Sequence, residues 1–338
     1  MDNTPSILYS DKSACLGDYT LDSHLKPCLA IIVPCFNEEA MLAHTLSVLT
    51  DCIIQLINKN KINSNSFIYC VDDGSVDKTW AIITEWHSNN PCIKGLKLSR
   101  NFGHQNAVLA GMLNIKNTVD CAITIDADLQ DDVSVIETMV DHFHAGSDIV
   151  SGVRRARTTD SFFKRMSALL FYRTMQVSGA NIIPNHADFR LLSKRALNQL
   201  SQFKERNLFL RGILPLIGYR NSIVYYDRNH RLYGTTKYPL KKMLALAFDA
   251  MTSFSHKPLD LILLFGIASF ILSIFMIIWV IFAKLLSHAV PGWASIMIPL
   301  CFMGGIQLLS IGILGEYIAK IYLEVKRRPR YIKEQELF

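Results

Sequence analysis

Cys121-Ala122-Ile123-Thr124-Ile125-Asp126-Ala127-Asp128-Leu129-Gln130-Asp131 is the stretch on which the reading of this chain turns. Five apolar or β-branched residues in succession read as a buried strand, and the chain then becomes abruptly acidic. Two carboxylates at i and i+2 just past a strand both reach one cation when the backbone bends there. Hard cations such as Mg2+ or Mn2+ favour such oxygens and share them with substrate phosphates. A solvated turn also produces Asp-x-Asp, so the weight of this one comes from its surroundings.

The same pattern recurs upstream. Leu29–Phe36 (LAIIVPCF) runs into Asn37, Glu38 and Glu39, and Phe67–Val71 runs into Asp72-Asp73-Gly74-Ser75. Ile93–Leu98 is a weaker strand. Helical stretches lie between, the clearest over 133–146, where Val133, Ile136, Met139, Val140 and Phe143 share one face. Apolar strands alternating with helices predict an α/β domain with a mostly parallel sheet covered on both faces. Ligands bind such sheets at the carboxyl ends of the strands, where three acidic turns gather here. Asp72 and Asp73 have two readings, a cap for the next helix or a hydrogen-bonding pair for a base or ribose.

Beyond Gly152 the chain turns basic and less regular. Residues 162–177 look helical, 187–192 and 222–227 look like strands, and 238–254 is amphipathic with Lys237, Lys241 and Lys242 near its start. Such a helix suits a membrane interface. Half of the 338 residues are hydrophobic, with the excess in the last 80. Leu261–Ala283 and Ala294–Gly315 are uncharged runs of 23 and 22 residues, each long enough for a hydrocarbon core of about 30 Å. Lys241, Lys242, Lys257, Lys326, Arg327, Arg328 and Arg330 flank their outer ends, against Lys284 in the connector. That bias predicts a cytoplasmic catalytic domain and C-terminus. The divisions expected are a polar tail (1–27), the catalytic domain (28–235), an amphipathic juxtamembrane helix (236–257), a two-helix transmembrane hairpin (258–320) and a basic tail (321–338).

Several functions drop out. There is no GxGxxG, no P-loop and no GxSxG elbow. The net charge of +6 comes with no nucleic-acid reading module. The eight cysteines show no CxxC or metal-ligand spacing and read as core residues of a reducing compartment. His142 and His144 read as surface residues, while His104 and His186, beside Arg100 and Asp188, either line the site or end helices.

With these residues in view, the chain resembles family 2 glycosyltransferases. Val33-Pro34-Cys35-Phe36-Asn37-Glu38-Glu39, Asp72-Asp73-Gly74-Ser75, Arg100-Asn101-Phe102-Gly103 and the Asp126–Asp131 segment stand in that family's order. Ala187-Asp188-Phe189-Arg190-Leu191, Glu205-Arg206-Asn207-Leu208-Phe209, Gly234-Thr235-Thr236-Lys237-Tyr238 and Leu314-Gly315-Glu316-Tyr317-Ile318 are similar to the polyprenyl-phosphate branch. That branch holds the bacterial bactoprenol glucosyltransferases and the dolichol-phosphate mannose synthases.

The resemblance implies a GT-A fold, a Mg2+ or Mn2+ cofactor and a bacterial inner-membrane enzyme. The implied reaction is inverting transfer of a hexose, glucose from UDP-glucose first, to undecaprenyl phosphate, as in O-antigen modification. It implies that Pro34, Phe36, Glu38 and Asp73 hold the nucleoside, with Asp72 and Asp126 as further donor contacts. Asp126, Asp128 and Gln130 match the cation and diphosphate positions, and Asp188 joins Asp126 and Asp128 as catalytic. Arg154, Arg155, Arg165, Arg190, Arg231 and Lys237 would meet phosphates of donor or acceptor. Phe36 stands where the family often has Tyr, and Ala187 where these enzymes usually have Gly. Gly304, Gly305, Gly312 and Gly315 would allow close helix packing within a chain or in a homo-oligomer. The same signature suits GlcNAc, galactose, mannose or aminoarabinose as the sugar. A processive polysaccharide synthase would carry QxxRW and more spans, and a non-catalytic nucleotide-sugar-binding partner would lack an acidic ligand.

Overall fold

The computed structural model describes residues 26–155, 186–205, 210–227, 257–285 and 293–338. Strand and helix alternate first through β1 (Leu29–Cys35), α1 (Leu42–Asn58), β2 (Phe67–Asp72), α2 (Thr79–Asn89), β3 (Ile93–Leu98), α3 (His104–Ile115), β4 (Cys121–Thr124), α4 (Val135–His144) and β5 (Ile149–Arg154). Then come β6 (His186–Ser193), α5 (Lys194–Leu200), α6 (Leu210–Leu216), β7 (Asn221–Tyr226), the long helices α7 (Lys257–Leu285) and α8 (Trp293–Val325), and β8 (Lys333–Leu337). The helices expected over 162–177 and 238–254, and the tail before residue 26, lie outside the described residues.

The strands form one sheet in the order β7-β5-β6-β4-β1-β2-β3-β8. β1 pairs in parallel with β2 and β4, β2 with β3, and β5 with β7. β6 runs against β4 and β5, and β8 against β3. The sheet is thus mostly parallel, as the alternation predicted. Strand order reverses at β1, which has β2 on one side and β4 on the other. A crevice opens there at the carboxyl ends.

Period-two alternation divides the strand residues between the two covered faces. Leu29, Ile31, Val33 and Cys35 join one apolar cluster with α1 and α4, while Ala30 and Ile32 join a second with α3, α5 and α6. On α1, Leu42, Leu46, Leu49, Ile53 and Leu56 recur at intervals of four and three, so one stripe is buried. Each such side chain taken from water is worth about 1.5–3 kcal/mol. Above the sheet, α3 lies so close that a Cβ on Gly111 would stand 2.6 Å from Ile32 Cγ2.

Two strands were not foreseen. β5 (IVSGVR) was obscured by the basic residues that follow it. The tail ends in β8 (KEQEL), which has no apolar alternation to betray it. As an edge strand it is held by its partners instead. Lys97 Nζ meets Glu334 at 3.0 Å, Trp80 Nε1 donates to Gln335 at 3.2 Å, and Tyr69 Oη donates to Glu336 at 3.1 Å. Phe338 closes the end, edge-on to Phe67 and Tyr69.

The uncharged runs expected at 261–283 and 294–315 fall within α7 and α8, which touch each other. Among the described residues one stretch, Phe302–Val325 of α8, is long and apolar enough to cross a membrane, with mean hydropathy 1.4 and nothing of it buried. On α7, Leu263, Leu264, Phe275, Trp279 and Phe282 are likewise exposed.

Around the crevice the turns after β2 and β3 are in contact. Gly74 has φ +69°, and a Cβ there would lie 2.4 Å from the backbone carbon of Arg100. Neither the torsion nor the neighbouring backbone yields cheaply, so Gly74→Ala is expected to destabilise the protein by about 1–3 kcal/mol. Chemical unfolding in detergent, followed by tryptophan fluorescence, measures it. An unchanged midpoint would show that the two turns do not meet as described.

Candidate active site

One wall of the crevice comes from the turns after β1, β2 and β3. Asn37 takes the left-handed conformation, φ 55°, which its short polar side chain tolerates. Its N–H donates to Ser75 Oγ at 3.0 Å and its Oδ1 accepts from the Val76 N–H at 3.0 Å. The Glu38 N–H donates to Thr79 Oγ1 at 2.9 Å, the Glu39 N–H to Asp77 at 3.1 Å, and the Lys78 N–H to Glu39 at 3.0 Å. Five bonds thus join the two turns before any ligand arrives. Pro34 is buried behind them, while Phe36 presents its ring at the rim, 44% exposed.

Asp72 and Asp73 have separate roles in this wall. Both oxygens of Asp73 are engaged, by the Phe102 N–H at 2.7 Å and the Gly103 N–H at 2.9 Å, and its own N–H donates to Cys35 O at 2.9 Å. It pins the β3–α3 turn to β2. Asp72 is wholly buried; one oxygen accepts from the Ser75 N–H at 3.2 Å and Oδ2 has no partner. Burial raises the pKa of both, opposed at Asp72 by Ser75 and at Asp73 by the two N–H groups. A buried acceptor without a donor costs free energy until something fills it.

The other wall is β4 against β6. Their antiparallel register pairs Thr124 with Arg190, so Asp126 and Asp188, each two residues nearer the crevice, stand side by side. His104, the first residue of α3, bridges them, with Nε2 at 3.5 Å from Asp126 Oδ1 and 3.7 Å from Asp188 Oδ2. Burial pushes the Asp126 carboxyl up to about 6; His104 opposes this, and Asp131, Asp188 and Asp128 add to it. The side chain nevertheless stays 36% exposed, at the open side of the crevice. Asp128 Oδ1 accepts from the Gln130 N–H at 3.2 Å, Leu129 between them has φ 48°, and Gln130 is buried under the turn.

The expected basic residues are less uniform than their charge suggests. Arg190 is 1% exposed and its guanidinium pairs with Asp188 Oδ1. Arg154 gives Nε at 3.1 Å and Nη2 at 2.8 Å to Asp131 Oδ1, which also accepts from Tyr226 Oη at 2.6 Å. Burial works against the Arg154 charge, but Asp131 and Tyr226 outweigh it and raise the pKa. Arg155 lies on the surface beside Asp227 at 3.3 Å. Arg165, Arg231 and Lys237 lie outside the described residues. Two of the arginines expected to meet a phosphate are therefore turned onto carboxylates, because they sit where the sheet places those carboxylates beside them.

Asp126, Asp128 and Asp188 do come together, and His104 and Arg190 join them. His104 had a signal in the sequence, standing directly after Arg100-Asn101-Phe102-Gly103, but its partners depend on the strand order. Asp131, recorded only as the end of a motif, proves to be the anchor for Arg154 and Tyr226. Among the described residues no group of three His, Cys, Asp or Glu closes around one point. The carboxylates instead form an open arrangement of hard oxygens.

Comparison with known proteins follows the same line. Residues 30–201 match the family model for glycosyl transferase family 2. An uncharacterized glycosyltransferase of Bacillus subtilis (strain 168), YkoT, is 51% identical over 93% of this chain and 93% of its own. The prophage bactoprenol glucosyl transferase homolog of Escherichia coli (strain K12) is 35% identical over 90% of this chain and 97% of its own. Among solved structures, glucosyl-3-phosphoglycerate synthase from Mycobacterium tuberculosis is 15% identical over 68% of this chain and 78% of its own, at a TM-score of 0.43, too distant to inform any detail.

The pairing of Arg190 with Asp188 separates two roles for the arginine. As the buried partner of a half-buried carboxylate, Arg190→Met should cost about 2–4 kcal/mol of stability. A double-mutant cycle with Asp188→Asn should return a coupling of about 1–3 kcal/mol. Urea unfolding of the four proteins measures it. Additive effects, with only phosphate affinity lowered, would make Arg190 a substrate contact instead.

Proposed function

The chain belongs to glycosyl transferase family 2 and is a glycosyltransferase, and from that premise we propose that it moves a hexose from a nucleotide diphosphate sugar to a polyprenyl phosphate. Glucose from UDP-glucose and undecaprenyl phosphate are the first candidates, giving a lipid-linked sugar for O-antigen or other cell-envelope modification. The observation that carries the reading is Asp126 and Asp188 side by side across β4 and β6, with Asp128 on the adjoining turn. Relatives named bactoprenol glucosyl transferase, 35% identical over 90% of this chain, support the acceptor class.

In this reading the Phe36 ring covers the base from the rim, and Asp72, wholly buried beneath Ser75, supports that turn from below. Asp73 serves the nucleoside indirectly, by holding Phe102 and Gly103. Asp126 and Asp128 hold the cation, with Gln130 under the turn between cation and diphosphate. Hard oxygens, net negative charge and an Asp126 that is reluctant to ionise all fit Mg2+ or Mn2+. The bound cation would neutralise the charge that develops on the departing diphosphate.

Asp188, paired with Arg190 and facing His104, would align the acceptor in this reading. A strong general base is not required. A phosphate monoester has a second pKa of about 6, so the attacking oxygen is largely ionised at neutral pH. Catalysis then rests on orientation and on stabilising the leaving group. The proposed topology has α7 and α8 as a hairpin in the bilayer of a bacterial inner membrane, with the catalytic domain and C-terminus cytoplasmic. A polyprenyl tail would stay in the bilayer while its phosphate enters the crevice.

Membranes carrying the protein, incubated with undecaprenyl phosphate and a panel of nucleotide-sugars, should yield one lipid-linked sugar identifiable by mass. Asp128→Asn should lower that yield at least about 100-fold without affecting membrane insertion, since it removes a charged ligand and no core group. Full activity in EDTA would overturn the cation assignment.

Proton competition gives a second check. Asp126 must be ionised to bind a cation, and its carboxyl titrates at about 6. Apparent Mn2+ affinity should therefore be level above pH 7 and fall about tenfold per unit on the acid side of that value. Calorimetric titration from pH 5 to 8 tests it, and an affinity level down to pH 5 would mean that Asp126 is not a ligand.

A further inference from the structure

Beside the crevice, the β3–α3 turn and the segment after α8 enclose a cavity of about 310 Å³ lined by Arg100, Asn101, Phe102, Gly103, Asn106 and Arg330. Its two cations, Arg100 and Arg330, lie far apart in the sequence. The Ser99 N–H donates to Ile332 O at 3.0 Å, which lays the C-terminal segment along the end of β3. Arg330 Nη2 donates to Phe203 O at 2.5 Å, and Arg100 lies over the Phe102 ring at 4.1 Å with Nη1 donating to Asn101 O at 3.0 Å. Among the described residues neither guanidinium forms a salt bridge. Burial lowers the Arg330 pKa, and Glu324 and Glu205 only partly offset it.

Two guanidinium groups on one small cavity repel each other, and one of them is already partly stripped of water. Most of their donors remain unused, in the fork geometry that suits a phosphate. One Asn106 amide N–H is given to Phe102 O and the Gly103 N–H to Asp73, so the arginines are the charged donors this lining offers an anion. Location narrows the ligand. Gly103 is followed by His104 of the acidic cluster, so the cavity adjoins the crevice. Arg330 stands five residues beyond the end of α8, at most roughly 17 Å of extended chain.

We propose that Arg100 and Arg330 form a phosphate subsite that receives the anionic head of the lipid acceptor where it leaves the membrane surface. The inference rests on the polyprenyl-phosphate reading and on α8 lying in the bilayer. The same chemistry would also attract a soluble phosphate, above all the diphosphate of the donor, and the test separates these sources.

The full chain in detergent is titrated calorimetrically with farnesyl phosphate, farnesol, UDP and inorganic phosphate. Arg100→Gln and Arg330→Gln should each weaken farnesyl phosphate binding about 10- to 100-fold, as expected for loss of a charge-assisted contact. UDP affinity should stay within about twofold, and farnesol should bind equally to all variants. Arg330→Lys, which keeps the charge, should recover part of the loss, and Arg100→Gln, on an exposed turn, carries the test if Arg330→Gln fails to fold. Wild-type protein that makes no lipid-linked sugar yet binds farnesyl phosphate through these arginines would overturn the proposed reaction and uphold the subsite. Loss of UDP or inorganic phosphate binding with farnesyl phosphate unaffected would overturn the subsite, and so would no change in either variant.

Discussion

The antiparallel pairing of β4 with β6 sets Asp126 beside Asp188, and the rest of the fold has to balance the like charges that gather there. Asp128 and Asp131 follow within the same turn. Two unit charges 4 Å apart repel by about 4 kcal/mol at an effective dielectric constant of 20. Four carboxylates in one corner would be costly if nothing offset them. The chain offsets two of them internally: Arg190 pairs with Asp188, and Arg154 with Tyr226 holds Asp131. At Asp126 burial first, and the neighbouring Asp131, Asp188 and Asp128 after it, push the carboxyl up to about 6, against the opposing pull of His104.

The donor wall works by the opposite means. Its carboxylates are met by backbone N–H groups instead of arginines, and rigidity comes from such N–H groups received by side-chain oxygens across three turns. Asp73 illustrates the economy of such an arrangement, since one carboxylate satisfies two N–H groups and holds the strand end that leads into His104. The turn after β2 and the helix start bearing His104 are therefore one mechanical unit. Asp72 departs from this pattern in keeping a buried oxygen without a donor.

Much of this was legible in the sequence, for identifiable reasons. Buried parallel strands are apolar runs, and β1, β2, β3 and β4 appeared within one residue of their ends because both faces are covered. The acidic turns were legible because polar residues directly after such runs lie at the carboxyl edge. The destination of each arginine was not. Arg154 and Arg190 look like free cations in a basic stretch, and only strand order shows that Asp131 and Asp188 stand against them. β8 was hidden for a related reason. Lys-Glu-Gln-Glu-Leu has no propensity pattern of its own, and its strand state depends on Tyr69, Trp80 and Lys97, which lie more than two hundred residues away in sequence.

That separation has a structural consequence. Lys97 and Glu334 are 237 residues apart, so the β3 edge is finished only when the chain has passed through both long apolar helices and returned. Loop closure over such a length costs little more than over half of it, growing as the logarithm of length, but it comes late in folding. Only residues 326–332 separate the end of α8 from β8. If α8 is embedded in a bilayer, that short link and the pairing of β8 with β3 fix the height of the β3–α3 turn above the lipid. The donor wall would then be tied to the membrane at the edge where His104 and Arg100 stand. An acceptor confined to the bilayer and a donor arriving from solvent would meet at a distance set by the protein chain, with no reliance on diffusion of a loosely tethered domain.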